Sequence, residues 1–196
     1  MPEFGMNNRS GPADPHSVRR RMPGRLRFIA IFASASIALF LIAVPSFPLP
    51  RTVEGKVTKV ADGDTLTVLT RDGTRIKVRL YGIDAPEIRH EEMPGQPYGE
   101  GAKSALKQFA LGKWVTVEIV DVDTHGRVVG IVRREGVDIN REMVRSGYAW
   151  AYRRFLSAPY ASAYIDAESE ARSRRLGLWK QTHPDPPWKF KQMSWH

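Results

Sequence analysis

Asp62, Asp64, Asp84 and Glu87, with Arg79 between the two pairs, lie within one short stretch of the chain. They stand where segments that read as β-strands begin or end. Asp62-Gly63-Asp64 is a tight turn ahead of the alternating run Thr65 to Thr70, and Arg75 to Leu80 alternates again before stopping at Gly82. Carboxylates gathered at strand ends suit a hard cation bound through oxygen. A cation beside an arginine fork suits a phosphate. Each piece also has a plainer reading. Asp-Gly is common in turns, and Asp84-Ala85-Pro86-Glu87 also fits a strand end followed by a helix start. Both acidic groups, however, follow strands and are accompanied by Arg79 and Arg127.

The elements that must position these residues are short. Thr52 to Val60 alternates as a first strand, and Asp72-Gly73 is a hairpin turn between the second and third. Residues 88–97 have no periodicity and two prolines, which predicts a loop. Tyr98 to Leu111 fits a helix stopped by Gly112. Lys113 to Val120 is a fourth strand, with Trp114 and Thr116 facing away from Val115, Val117 and Ile119, and Arg127 to Arg133 is a fifth. Asp138 caps a short helix that reaches Ser146, and Pro159 to Leu176 is a third helix. Trp150, in the aromatic run Tyr148 to Tyr152, reads as core. Five short strands with about three appended helices predict an α+β fold, a five-stranded barrel of the oligonucleotide/oligosaccharide-binding (OB-fold) kind, over residues 52–190 with a tail at 191–196.

The chain of 196 residues carries 30 Lys+Arg against 21 Asp+Glu. The excess of base persists without residues 1–50, which favours polyanions through phosphate contacts and counterion release. There are no cysteines, so disulfides, thiolate metal sites and cysteine-protease chemistry are excluded. No phosphate-binding G-x-x-x-x-G-K-[ST] run occurs, and no serine stands in a nucleophile context. His90, Glu91 and Glu92 resemble a metal cluster in composition only, with the wrong ligand spacing.

Residues 1–5 read as a cloning remnant and 6–27 as a basic N-terminus ending in Arg19-Arg20-Arg21, Arg25 and Arg27. Phe28 to Val44 carries no charge. It is at the lower edge of a membrane-spanning helix and long for a signal-peptide core, which favours an uncleaved anchor over a cleaved signal. The preceding arginines predict a cytoplasmic N-terminus and an extracytoplasmic remainder, membrane-anchored or, if the segment is cleaved, secreted. Residues 45–51 are a Pro-rich linker.

Asp62-Gly63-Asp64-Thr65, Arg79-Leu80-Tyr81-Gly82-Ile83-Asp84-Ala85-Pro86-Glu87 and Gly126-Arg127 together resemble the thermonuclease family, the staphylococcal-nuclease-like fold. The motifs stand in the family's order and at about its spacing, and the likeness spans roughly Thr52 to Trp188. The resemblance implies the same OB-fold and a calcium-dependent, sugar-nonspecific nuclease. Its substrates would be DNA and RNA, single strands preferred, and its products would carry 3′-phosphate and 5′-hydroxyl ends. It implies Asp62, Asp84 and the backbone carbonyl of Ala85 as Ca²⁺ ligands, with Asp64 coordinating directly or through a water. Glu87 would be the general base or water-orienting group. Arg79 and Arg127 would stabilise charge on phosphorus-bound oxygens. His125 and Thr124 stand where the family often has a tyrosine and a lysine that contact the terminal phosphate. That departure concerns the substrate end, and His125 also fits a solvated turn. Tyr152 matches a base-stacking tyrosine or, alternatively, barrel-to-helix core.

Two functions from different classes follow: this nuclease, or a non-catalytic barrel binding nucleic acid or a protein. Retention of all the charged positions favours the enzyme, with no protein partner expected. On this reading Arg79→Ala or Glu87→Ala abolishes cleavage and leaves the fold intact.

Overall fold

The computed structural model describes residues 51–90 and 94–194. The readings for residues 1–50, for Glu91 and Glu92, and for 195–196 lie outside the described residues. Among the described residues no helix is long and apolar enough to cross a membrane.

Alternating apolar residues build the barrel. Strands β1 (Arg51–Val60), β2 (Thr65–Thr70), β3 (Arg75–Leu80), β5 (Trp114–Val122) and β6 (Val128–Arg134) form one sheet in the order β3-β2-β1-β5-β6. A parallel pairing of β3 with β6, Val78 opposite Val128, closes it. Every second side chain points inward, as strand pleating requires: Val57, Leu66, Val68, Val78, Leu80, Val117 and Val132 are all buried. Trp114 lies outside, as its place in the alternation predicts. Two bulges, between Val57 and Lys59 and between Ile119 and Asp121, bend the strands where the barrel curves.

Three short strands complete the sheets. β7 (Val137–Asp138) extends the main sheet beyond β6, and β4 (Ile83–Asp84) pairs with β8 (Trp150–Ala151), placing Asp84 opposite Trp150. Among the described residues four α-helices flank the barrel: α1 (Gly99–Ala110), α2 (Ile139–Arg145), α3 (Ala161–Ser173) and α4 (Pro187–Ser194). Asp138 caps α2 by accepting from the Arg141 N–H at 3.0 Å. Buried Asn140 ties α2 to the closure, donating to the Tyr81 and Gly130 carbonyls and accepting from the Val132 N–H. The fourth helix runs across residue 190, where the sequence pattern set the end of the domain. With Pro187 at its start and only two turns, α4 is too short to show a periodicity.

Candidate active site

Backbone geometry places the first two acids. The Asp62 carboxylate accepts from the Asp64 N–H at 3.0 Å, closing an Asx-type turn between β1 and β2. Gly63 is needed at the bend because a Cβ there would come within 2.6 Å of the Ala85 Cβ and 2.7 Å of the Ala102 Cβ. The turn is therefore clamped between the Ala85 segment and α1. Asp64 is buried and held at both oxygens: one accepts from the Thr65 hydroxyl at 3.1 Å, the other from the Ala85 N–H at 3.0 Å. Its carbonyl accepts from the Leu80 N–H, so the residue joins the start of β2 to the ends of β3 and β4.

Arg79 faces away from the apolar Val78 and Leu80 on β3. Its guanidinium lies between the two buried acids, donating to Asp64 Oδ1 and, at 2.6 Å, to Asp84 Oδ1. On sequence grounds Arg79 accompanies the acids and serves to stabilise charge on phosphorus-bound oxygens. The fold puts it among them, because desolvated charges on neighbouring strand ends must be paired. Two of its five N–H donors are committed to these bonds. Gly82, at φ 72°, then reverses the chain so that β4 carries Asp84 back under the site.

Glu87 is held by its backbone. Its N–H donates to the Gln96 side-chain oxygen at 3.0 Å, and its carbonyl accepts from the Gln96 N–H at 2.8 Å. Gln96 is itself buried and donates through Nε2 to the Asp185 carbonyl at 3.1 Å. The described part of the 88–97 loop thus fixes Glu87 and joins it to the C-terminal arm. The Glu87 carboxylate meets Lys191 Nζ of α4 at 2.8 Å, and the same ammonium is 3.3 Å from Asp84 Oδ1.

The opposite wall comes from the β5–β6 turn. The Asp123 carboxylate accepts from the backbone N–H groups of His125 and Arg127 and from Arg127 Nε at 2.7 Å. Arg127 is thereby aimed by its own turn, with its terminal NH groups outside this pair. His125 and Thr124 are exposed at the tip. Tyr152 stacks on Trp188 of α4 with centroids 4.9 Å apart and a 2° interplanar angle, and meets Phe155 edge-on. Trp150 is buried against Trp179 and Trp188, as read from the sequence.

One open pocket of about 810 Å³ collects these groups. Asp62, Asp64, Arg79, Ala85 and Glu87 line one side. Thr124, His125, Arg127 and Tyr152 line the rest, with Lys191 also at the wall. Asp84 is the exception among the residues singled out in the sequence. It is 1% exposed and lies beneath the wall, behind Arg79 and Lys191.

The electrostatics are those of crowded acids. Burial, and then the charge of Asp64, push the Asp62 carboxyl up to about 6. Burial and Asp64 likewise raise Asp84, against the pull of Arg79 and Lys191. Asp64 is lowered: burial opposes ionisation there, but Arg79 and the Ala85 N–H outweigh it. Burial disfavours the Arg79 cation, yet Asp64 and Asp84 overcome it and raise its pKa. Four carboxylates, Asp62, Asp64, Asp84 and Glu87, crowd around Arg79 and Lys191, with Lys77 also lining the pocket.

Among the described residues no three acidic or histidine side chains converge into a ready-made metal cage. The donor set nevertheless fits a hard divalent cation in kind, being carboxylate and carbonyl oxygen with two carboxyls raised by burial and by the charge of Asp64. Oxygens of Asp64, Asp84 and Glu87 are engaged by Arg79 and Lys191 instead.

Sequence reasoning missed Asp123, Gln96, Trp188 and Lys191. Asp123 had a signal, as the first residue of a turn that ends in Gly-Arg. Gln96 and Lys191 had none, because their partners are remote in the chain.

A closed OB barrel bearing this acid and guanidinium pocket defines a hydrolase of phosphodiesters, a nuclease. Comparison with known proteins agrees. Residues 77–181 match the family described as "Staphylococcal nuclease homologue". A protein of Shigella flexneri named "Micrococcal nuclease" is 35% identical over 174 residues, covering 84% of this chain and 95% of its own length. "Protein ParB" of Escherichia coli is 34% identical over 186 residues, 90% of this chain and 96% of its own. An E. coli "Uncharacterized endonuclease" is 34% identical over 153 residues, 78% and 92% respectively. The chain belongs to the staphylococcal nuclease homologue family.

Proposed function

We propose that this nuclease hydrolyses DNA and RNA without regard to the sugar, in a calcium-dependent reaction that leaves 3′-phosphate and 5′-hydroxyl ends. The observation that carries the reading is the single pocket shared by Asp62, Asp64, Arg79, Glu87 and Arg127. Asp62, Asp64, Asp84 and the Ala85 carbonyl would hold the cation, which when bound polarises a phosphoryl oxygen. Glu87 accepts a proton from the attacking water, the P–O5′ bond breaks as the new P–O bond forms, and the departing O5′ takes a proton from solvent at the open pocket mouth to become the 5′-hydroxyl. Its backbone bonds to Gln96 fix the point of the chain from which that carboxylate reaches the pocket. Arg79 and Arg127 donate to the non-bridging oxygens as their charge grows, from opposite walls of the pocket. Thr124 and His125 stand at the rim, where they contact the phosphate end of the substrate. Tyr152, backed by Trp188, offers a base-stacking surface that favours single strands.

The proposed setting is extracytoplasmic, membrane-anchored or secreted, and is supported by the arginine cluster ahead of the apolar segment 28–44. Millimolar extracellular calcium suits weak sites of this kind.

The test is cleavage of a defined single-stranded oligonucleotide by the full chain, with calcium and with chelator, reading the end groups. Calcium-dependent cleavage to 3′-phosphates is expected. Cleavage unaffected by chelator would end the calcium reading, and 5′-phosphate products would end the assignment of the broken bond.

A further inference from the structure

Lys191 reaches the pocket from the C-terminal helix rather than from the barrel. Its ammonium lies 2.8 Å from Glu87 Oε1 and 3.3 Å from Asp84 Oδ1. The placement is built. Trp188, three residues earlier and therefore on the same helix face, is stacked on Tyr152 and packed edge-on against Trp150. Just before α4, the Asp185 carbonyl takes the bond from Gln96, the residue that also fixes Glu87. The arm that positions the ammonium and the loop that positions the carboxylate are thus one connected unit.

We propose that Lys191 is a tethered competitor of the divalent cation: anchored on Glu87, it holds an Asp84 oxygen that the cation needs, and so sets how much cation the site requires. The inference rests on the reading that Asp84 helps to bind such a cation. A calcium ion takes its oxygen ligands at about 2.3–2.6 Å. Arg79 and Lys191 already share Asp84 Oδ1, and a dication added at that distance brings a third like-signed centre to one oxygen in a partly desolvated site, where the repulsion is large. One of them must leave. Arg79 is gripped by two carboxylates that are both nearly inaccessible to solvent, and its rigid fork matches them. Lys191 has a flexible stem and a side chain 37% exposed, so it is the cation that withdraws. Binding is therefore reciprocal: the ammonium weakens the dication's hold, and the dication weakens the docking of Lys191.

The experiment measures calcium binding to the full chain by titration calorimetry, independently of cleavage, for the parent, Lys191→Met and Lys191→Arg, each checked for its fold by circular dichroism. Removing the charge is expected to tighten calcium binding on the order of tenfold, the effect of losing one competing ion pair. Lys191→Arg keeps the charge and should stay near the parent, whereas a purely packing role would move both variants alike. If the parent binds calcium and Lys191→Met binds it no more tightly, the competitor role is overturned while the calcium site stands. If neither protein binds calcium, both readings fall. Binding by Lys191→Met alone would support the proposal in its strongest form.

Discussion

The two arginines of the pocket are held in opposite ways. Arg79 sits on a barrel strand, clamped by Asp64 and Asp84, whose side chains are 4% and 1% exposed. Arg127 follows a turn and is steadied by Asp123, which is 20% exposed and belongs to that same turn. Asp123 is nonetheless held below the ordinary carboxylate range: burial pulls the other way, but hydrogen bonds from Arg127 and His125 prevail. One wall of the site is therefore part of the fold's buried interior, and the other is a local device set on its rim. Stability and function are coupled at the first arginine and separable at the second.

Replacing Arg79 by Ala is the strongest way to break that contrast. It leaves two buried carboxylates without their partner, which costs about 3–5 kcal/mol when a buried pair is broken from one side. Activity should fall by about 10²–10³-fold or more, as for loss of a transition-state donor. Thermal unfolding should show a clearly lowered Tm. This revises the sequence-level expectation that Arg79→Ala leaves the fold untouched, since the bonds to Asp64 and Asp84 could not be foreseen there. An unchanged Tm would place those carboxylates in water.

Arg127→Ala should lower kcat by a similar factor of about 10²–10³ while moving Tm little, because its ion pair is partly solvated and such pairs contribute only about 0–1 kcal/mol. Kinetics and a melting curve on the same preparation check both halves. A large fall in Tm would erase the distinction between the walls.

The smallest effect is expected at Asp62, which lies at the edge of the buried wall. Its folded pKa, about 6, is above the ordinary 3.8. The stability linked to its protonated form is therefore complete below about 3.8 and lost as pH rises through about 6. Asp62→Asn keeps an oxygen to accept the Asp64 N–H and removes the charge. In chelator above pH 6 it should melt a few degrees higher than the parent, and the difference should vanish near pH 4. A lower Tm at neutral pH would mean that the Asp62 charge supports the wall rather than straining it.

Much of this architecture was legible in local pattern. Period-2 alternation marked the strands from Arg51 to Leu80 and from Trp114 to Arg134 with small errors at their ends, and Asp138 announced α2. Asp62-Gly63-Asp64 was readable as a turn. Why it needs glycine was not, since the obstacles are Ala85 and Ala102, brought there by β4 and α1. Tyr152 was assigned a stacking surface, but its partner Trp188 belongs to an arm with no periodic signal.

The sequence alone determined which side chains face the barrel interior, where the chain turns, and that acids and arginines gather at strand ends. Those properties depend on neighbours a few residues away, through pleating and turn sterics. Only the tertiary structure decided which charges meet. The β2–β3 pairing, with Thr65 opposite Arg79, and the reversal at Gly82 put Arg79 between Asp64 and Asp84, and the return of α4 brought Lys191 to Asp84 across 107 residues. In a desolvated pocket each charge takes the partner that packing places within reach, and the alternation of residues along a strand does not carry that information.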